Sequence, residues 1–179
     1  NYNMGDIDLK SITAYREMQA ETGTDFDGTP IPYNDQLVDQ RQKQYSQELQ
    51  LSQQTERFKW VLGAYYLREE VTEAIQNSFV AFYLPPTNAV PGQGPLSTTD
   101  LKSDNFAVFG QGTYNLTEQL SVTAGLRWTY EKKDVGISGP FGLGTGGATL
   151  DVNGSESWSN LSPRLGLEYQ ANDDLLLYG

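Results

Sequence analysis

Apolar and polar residues alternate along several segments of this chain, most clearly in LSVTAGLRWTYE, residues 120–131. Its even-numbered positions are all apolar, and its odd-numbered positions are polar or glycine. Successive side chains of a strand point to opposite faces, so the pattern predicts a β-strand with one apolar and one polar face. The apolar face carries Leu120, Val122, Ala124, Leu126, Trp128 and Tyr130.

The alternation recurs and predicts about seven strands. They cover approximately residues 7–18, 44–53, 58–71, 105–115, 120–135, 158–170 and 175–179. The short polar connections QTER, LTEQ and ANDD take turns with connections of roughly 20 to 30 residues that are rich in turn-forming residues. We therefore expect short turns at one end of an antiparallel sheet and long loops at the other.

Connections in a compact soluble domain are usually about 4 to 6 residues long, so several long loops are unusual there. Membrane barrels combine strands of about 10 residues with short periplasmic turns and long extracellular loops. Their outside is apolar and their lumen is polar. The sequence therefore predicts an all-β, antiparallel transmembrane barrel segment in which Leu126 meets lipid and Arg127 meets the lumen. Aromatic residues near both strand ends predict two interfacial girdles.

Composition narrows the chemistry. The chain has 179 residues, neither histidine nor cysteine, and a net charge of -11. The usual general base and the commonest metal ligands are therefore missing, and the acidic balance disfavours nucleic acid. Paired acids such as Glu69 and Glu70, and the DFDG motif at residues 25–28, fit solvated loop acids. We predict no enzyme activity, no cofactor, no metal site and no nucleic-acid partner.

Several of these strands resemble the barrel of a TonB-dependent outer-membrane receptor. The matching phrases are LKSITAYRE, YSQELQLSQ, FKWVLGAYYLREE, NFAVFGQGTYNLTEQLSVTAGLRWTYEKKD and LSPRLGLEYQANDDLLLYG, which cover more than half of the chain. The resemblance implies a 22-stranded barrel around an N-terminal plug in the outer membrane of a Gram-negative bacterium. It also implies transport driven by the TonB complex.

The chain departs from that family pattern, since it contains no plug, no TonB box and only about seven strands. We interpret residues 1–179 as a partial β-barrel domain, with the plug and remaining strands absent. The predicted function is TonB-energised uptake of a scarce nutrient such as a ferric siderophore, with carbohydrate left open. The alternatives are a small non-transporting outer-membrane barrel or adhesin, and a soluble β-rich binding module.

Two sets of residues are candidates for the site. Aromatic side chains in the predicted extracellular loops suit ligand contact, or packing of the loops themselves: Phe26, Tyr33, Phe79, Phe82 and Tyr83. Charged side chains on the predicted lumen face suit contact with the plug, or simple solvation: Glu48, Arg127, Glu131, Arg164 and Glu168. The predicted first loop is acidic, and no role is assigned to its Glu21, Asp25, Asp27, Asp35 and Asp39.

Overall fold

A computed structural model describes residues 1–26, 28, 34–79, 96–140, 149–172 and 174–179. These residues form one open antiparallel sheet in which each strand pairs with its neighbour in sequence. The all-β, antiparallel fold class is confirmed. Within the described ranges, no helix is long and apolar enough to cross a membrane. The strands are β1 (Tyr2–Asn3), β2 (Asp8–Asp25), β3 (Asn34–Gln54), β4 (Phe58–Phe79), β5 (Leu96–Asn115), β6 (Leu120–Pro140), β7 (Thr149–Asn172) and β8 (Leu175–Tyr178).

The short connections lie where the sequence predicts them, at residues 55–57, 116–119 and 173–174. Side-chain hydroxyls close the first two turns. The Phe58 backbone N–H donates to Thr55 Oγ1 at 3.0 Å, and the Leu120 backbone N–H donates to Thr117 Oγ1, also at 3.0 Å. Threonine hydroxyls favour such turns by satisfying backbone groups that the strand ladder leaves free.

The strands are longer than the alternation predicts, which corrects the expected loop boundaries. The β2–β3 ladder continues to the pair Asp25↔Asp35, so most of the predicted acidic first loop is strand. Likewise, β4 continues to Phe79 and β6 to Pro140. Backbone groups form the ladder whatever the side chains are, so strands continue through segments where the simple apolar–polar pattern is lost.

The register assigns every paired residue to one of two faces. Leu126 lies opposite Gly110 and Pro163, and Arg127 lies opposite Phe109 and Ser162. Directly opposed residues share a face. We name the two surfaces the Leu126 face and the Arg127 face.

The Leu126 face carries what we call the apolar band, which has almost no core beneath it. Ala107 is the only buried apolar side chain among the described residues, whereas Leu165 is 78% exposed and Leu62 is 52% exposed. A single-layer sheet cannot cover these side chains by itself. The band comprises Leu49, Leu51, Phe58, Trp60, Leu62, Ala64, Tyr66, Phe106, Val108, Tyr114, Leu120, Val122, Ala124, Leu126, Trp128, Tyr130, Leu161, Pro163, Leu165, Leu167 and Tyr169.

Aromatic side chains mark both limits of the apolar band. Near the short turns, Phe58 and Tyr114 have ring centroids 6.4 Å apart. At the other limit, the Trp128 ring lies edge-on to Phe106 at 6.2 Å and stacks with Tyr130 at 6.5 Å. Aromatic pairs at these distances add to the stability that burial provides.

Beyond the second aromatic row, the Leu126 face becomes polar while the same strands continue. We call this part the charged segment; it comprises Asp39, Arg41, Lys43, Arg68, Glu70, Asp100, Lys102, Asp104, Lys132 and Asp134. Two ion pairs lie here: Arg68 Nη2 is 2.8 Å from Glu70 Oε1, and Lys132 Nζ is 2.9 Å from Asp134 Oδ2. The opposite face at this level carries aliphatic side chains: Val71, Leu101, Val135, Ile137 and Val152.

Candidate functional site

The five charged residues predicted to face the lumen all lie on the Arg127 face. The register connects Glu48 through Tyr65, Ala107 and Thr129 to the strand that carries Arg127. Arg164 and Glu168 lie on the same face of β7, opposite Gly125 and Ser121, and Glu131 lies on β6. Their common face is a structural fact, and their contact with a lumen or a plug stays a prediction.

Arg127 is held by two neutral neighbours. Its guanidinium carbon lies 5.7 Å from the centroid of the Phe109 ring, within cation–π range, and its Nε–H donates to Thr129 Oγ1 at 3.2 Å. The Phe109 ring in turn lies over Gly63, where a Cβ atom would come within 2.7 Å of the ring Cε1. Only glycine at this position leaves the ring its present space.

Arg164 is held in a similar way on the neighbouring strand. Its Nη1–H donates to Gln111 Oε1 at 3.3 Å, although these residues belong to β7 and β5. The bond crosses β6 at Gly125, where a Cβ atom would lie 3.3 Å from Gln111 Cβ and Cγ. A side chain there would crowd Gln111, so glycine favours the Arg164–Gln111 contact.

Sequence reasoning missed Phe109, Gln111 and Gly63 as parts of this arrangement. One signal was present, because Phe109 is an aromatic residue on a face whose neighbours Gln111 and Thr113 are polar. Phe109 interrupts the polar positions of this face and lies opposite a glycine, and its ring lies across the strand that carries this glycine.

The other charges of the set have separate partners. Glu131 forms an ion pair with Lys133, with 3.0 Å between Oε1 and Nζ. Glu48 accepts a hydrogen bond from the side-chain amide of Gln50 at 2.6 Å. Glu168 lines an open cavity at the short-turn end, together with Arg57 and Glu118. The structure therefore brings Arg127 and Arg164 together but leaves the three acids apart.

Further hydrogen bonds connect the Arg127 face across strands. The Gln42 amide donates to Glu69, and the hydroxyls of Thr113 and Thr123 share a hydrogen bond of 2.8 Å. Glu69 lies on this face, whereas its neighbour Glu70 lies on the Leu126 face beside Arg68. The two carboxylates point apart and cannot act as a pair on one substrate atom.

The predicted loop aromatics are only partly described. Phe26 follows β2 and is 58% exposed. Phe79 is the last residue of β4, which corrects its placement in a loop. Tyr33, Phe82 and Tyr83 lie outside the described residues. Ligand binding by this set stays a prediction.

Two residues of the DFDG motif, Asp25 and Gly28, are hydrogen-bonded to each other at the end of β2. The Gly28 backbone N–H donates to Asp25 Oδ1 at 2.8 Å, and Gly28 has a φ of 65°. That conformation favours glycine, and the bond is typical of an aspartate in a turn. Asp27 and Asp173 lie outside the described residues. Where the chain is described, no three acidic side chains gather to hold a metal ion.

Electrostatics in the charged segment are local. Asp134 accepts hydrogen bonds from Ser155 and Lys132, and these bonds lower the pKa of its carboxyl below the ordinary value of 3.8. Ser155 lies directly opposite Asp134 in the β6–β7 ladder. A serine on the neighbouring strand and a lysine on the same strand therefore favour the charged form of this carboxylate.

Comparison with known proteins agrees with this geometry. The sequence model of the family described as "TonB dependent receptor-like, beta-barrel" matches residues 1–179. A search of curated proteins finds no match.

Solved structures with the same fold include the ferric yersiniabactin uptake receptor FyuA from Yersinia pestis. It is 19% identical with a TM-score of 0.75, covering 99% of this chain and 25% of FyuA. The copper transporter OprC is 16% identical with a TM-score of 0.64, covering 98% of this chain and 28% of OprC. This chain thus spans about a quarter of either protein. It belongs to the TonB-dependent receptor-like β-barrel family.

Proposed function

We propose that this chain forms part of the barrel wall of a bacterial outer-membrane receptor that takes up a scarce nutrient such as a ferric siderophore. The observation that carries the proposal is the apolar band, an exposed hydrophobic surface bounded by aromatic rows on a sheet with almost no core of its own. Family membership supports the same role.

The dimensions of the apolar band fit a bilayer. On β4 it extends from Phe58 to Tyr66, and on β6 from Leu120 to Tyr130. Transmembrane strands need about 9 to 11 residues when tilted. The aromatic rows then lie at the two interfaces, where amphipathic rings are favoured. Lipid covers the side chains that the sheet leaves exposed.

The Arg127 face then lines the lumen. Glu48, Arg127, Glu131, Arg164 and Glu168 meet water and the plug domain of the full-length receptor. In this proposal residues 1–179 are a partial barrel, and the plug and remaining strands belong to the rest of the protein. The TonB complex of the inner membrane supplies the energy for transport.

The substrate proposal draws on the named structures. FyuA takes up ferric yersiniabactin and OprC transports copper, so the fold serves more than one metal cargo. A ferric siderophore suits the aromatic residues proposed to bind it, which are Phe26, Tyr33, Phe79, Phe82 and Tyr83. Flat aromatic rings pack against the apolar and aromatic parts of such ligands. A carbohydrate is the second substrate class.

Spin labels on single cysteines test the proposed faces. Residues 1–179 contain no native cysteine, so Leu126→Cys and the matched Thr129→Cys can each be labelled in the full-length receptor in lipid vesicles once any cysteine elsewhere in the receptor has been replaced by serine. We expect the label at 126 to be relaxed mainly by oxygen, which concentrates in lipid. We expect the label at 129 to be relaxed mainly by a water-soluble nickel complex. Equal exposure of both labels to the nickel complex would support a soluble module instead.

Uptake of iron tests the transport step. Cells that produce the receptor should accumulate radioactive iron from a ferric siderophore when TonB is present, and lose that accumulation when TonB is deleted. A receptor whose faces are correct but which accumulates neither ferric siderophore nor carbohydrate would be a non-transporting barrel or an adhesin.

A further inference from the structure

Two arginines lie side by side on the Arg127 face. Arg164 is opposite Gly125 and Arg127 is opposite Ser162, so the two are diagonal neighbours on adjacent strands. Diagonal neighbours in an antiparallel pair lie about 7–8 Å apart, within reach of long side chains. Two positive charges at this distance repel each other, and an anion between them removes the repulsion.

Neither guanidinium has a carboxylate partner in the described part of the chain. Arg127 contacts Phe109 and Thr129, and Arg164 contacts Gln111. Other basic residues do have such partners. The side chains within 4 Å of a carboxylate are Arg41, Lys43, Arg68, Lys132 and Lys133. Seven of the 12 basic residues have no such partner in the described part of the chain, and Arg127 and Arg164 stand out among them because they are diagonal neighbours on adjacent strands.

Neutral neighbours set the positions of both groups. The Phe109 ring occupies the space that the missing side chain of Gly63 leaves, and Arg127 lies over this ring. Gln111 accepts a hydrogen bond from Arg164 across Gly125. These contacts leave most of the guanidinium N–H groups free. A planar guanidinium donates in a fixed fork that matches carboxylate and phosphate oxygens. Side chains held in place beforehand lose less conformational entropy when a ligand binds.

We infer that Arg127 and Arg164 form a binding site for an anion bearing carboxylate or phosphate groups, and that Phe109 and Gln111 are positioning residues for it. The inference rests on the proposed function, because the lumen must be the space that the Arg127 face lines. The anion has two sources: a carboxylate side chain from another part of the receptor, or a small anion in the lumen.

The test compares the full-length receptor with its R127Q/R164Q variant in detergent at low ionic strength, where charge interactions are least screened. Arg16→Gln is the matched control, since Arg16 shares this face through its pairing with Gln44 and is not next to either arginine. Succinate and inorganic phosphate are the probes. Titration calorimetry measures their binding, and melting temperatures are recorded from pH 7 to pH 3.

A small anion is the ligand if a probe binds the wild type and the Arg16→Gln control but binds R127Q/R164Q at least about tenfold more weakly. The receptor's own carboxylate is the ligand if neither probe binds and R127Q/R164Q melts at a lower temperature at pH 7. A paired carboxylate has a lowered pKa, so its contribution is present at neutral pH and is lost as pH falls through that value. The difference in melting temperature should therefore close toward pH 3.

Either result supports the site, whereas identical behaviour of all forms, or the absence of probe binding together with a melting difference that does not change with pH, overturns it. Phe109→Leu keeps both charges and should weaken probe binding about two- to fivefold, or reduce the pH-dependent difference, because a cation–π contact contributes about 0.5–1 kcal/mol. If the spin labels confirm the faces while this test fails, the anion site is wrong and the receptor proposal stands. If the spin labels show both faces equally exposed to water, the receptor proposal is wrong whatever the result of the anion-binding test.

Discussion

The apolar band and the charged segment lie on the same face of the same strands, yet the apolar side chains at the level of the charged segment point to the opposite face. On β4, Leu62 and Tyr66 lie on the Leu126 face, whereas Val71 and Ile75 lie on the Arg127 face. The ladder between β4 and β5 runs through both parts in one register, from Phe58 to Gln76. Backbone pairing is therefore continuous while the surroundings of the sheet change.

The change of face is visible at one point of the sequence. Tyr65, Tyr66 and Leu67 are three consecutive apolar residues, which shift the alternation by one position. In the proposed membrane placement, lipid covers the apolar side chains of the band. Water then surrounds the charged segment, where ion pairs such as Arg68–Glu70 occupy the same face. The boundary lies at the aromatic row, far from the strand end.

The largest expected effect comes from placing a charge in each part. Leu62→Arg should lower the free energy of unfolding of the full-length receptor in lipid vesicles by about 2–4 kcal/mol, and Thr72→Arg on the same face of β4 by about 0–1 kcal/mol. The first arginine would lie in hydrocarbon, and the second would lie in water near Asp100, which Thr72 contacts at 2.7 Å. Urea titration measures both values. Equal losses would contradict the division of the Leu126 face.

A second substitution tests the packing of the Arg127 face within the band. Gly63→Ala should destabilise the receptor by about 1–3 kcal/mol, because the new methyl group forces the Phe109 ring out of its position. Gly166→Ala is the matched control, since its Cβ would lie 3.8 Å from the nearest atoms. Thermal unfolding of both variants measures the difference. A loss no greater than that of the control would show that the ring moves freely.

The sequence predicts the part of the fold in which one face is apolar and the other is polar. Period-two alternation identifies the band, because two faces in different surroundings impose opposite requirements on neighbouring residues, and the short polar connections identify all three short turns. It ends the strands too early in the charged segment. There, polar residues such as Glu69 and Glu70 occupy both faces and the aliphatic residues lie on the Arg127 face, so the alternation that marks the band does not continue in the same phase.

The candidate site was predictable to the same degree. The common face of Arg127 and Arg164 follows from alternation alone. Their proximity depends on the register between β6 and β7, and the role of Gly63 depends on the direction in which the Phe109 ring leans. Neither relation is local in sequence. A side-chain contact that crosses a strand depends on the relative positions of three strands, as the Arg164–Gln111 contact does.

A smaller effect is expected at the aromatic row. Trp128→Leu should lower the free energy of unfolding in lipid, since it removes ring contacts with Phe106 and Tyr130. The loss of these contacts should account for about 0.5–1.5 kcal/mol, in addition to the loss from the smaller apolar area. Trp158→Leu on the Arg127 face is the control, because Trp158 lies opposite Glu131 and away from that row. Urea titration compares the two. A larger loss at Trp158 would contradict the placement of the interface.

The smallest effect is expected in the charged segment. Since the pKa of Asp134 is lowered in the fold by Ser155 and Lys132, its carboxylate adds stability above pH 3.8 that disappears as pH falls below that value. Asp134→Asn should therefore melt slightly below the wild type at pH 7, with the difference gone near pH 2. High salt should shrink the difference as well, because exposed ion pairs are screened. A melting-temperature difference that grows as the pH falls would contradict a lowered pKa for Asp134.

In the proposed receptor, the length of the strands also determines how far the barrel wall projects from the membrane. From Tyr66 to Phe79, β4 continues past the interface, which at about 3.3 Å per residue and a tilt of about 40° raises its end by roughly 30 Å. In the proposed receptor, this part of the wall therefore stands well above the membrane surface. A nutrient that enters between such walls would leave bulk solvent before it reaches the depth of the bilayer.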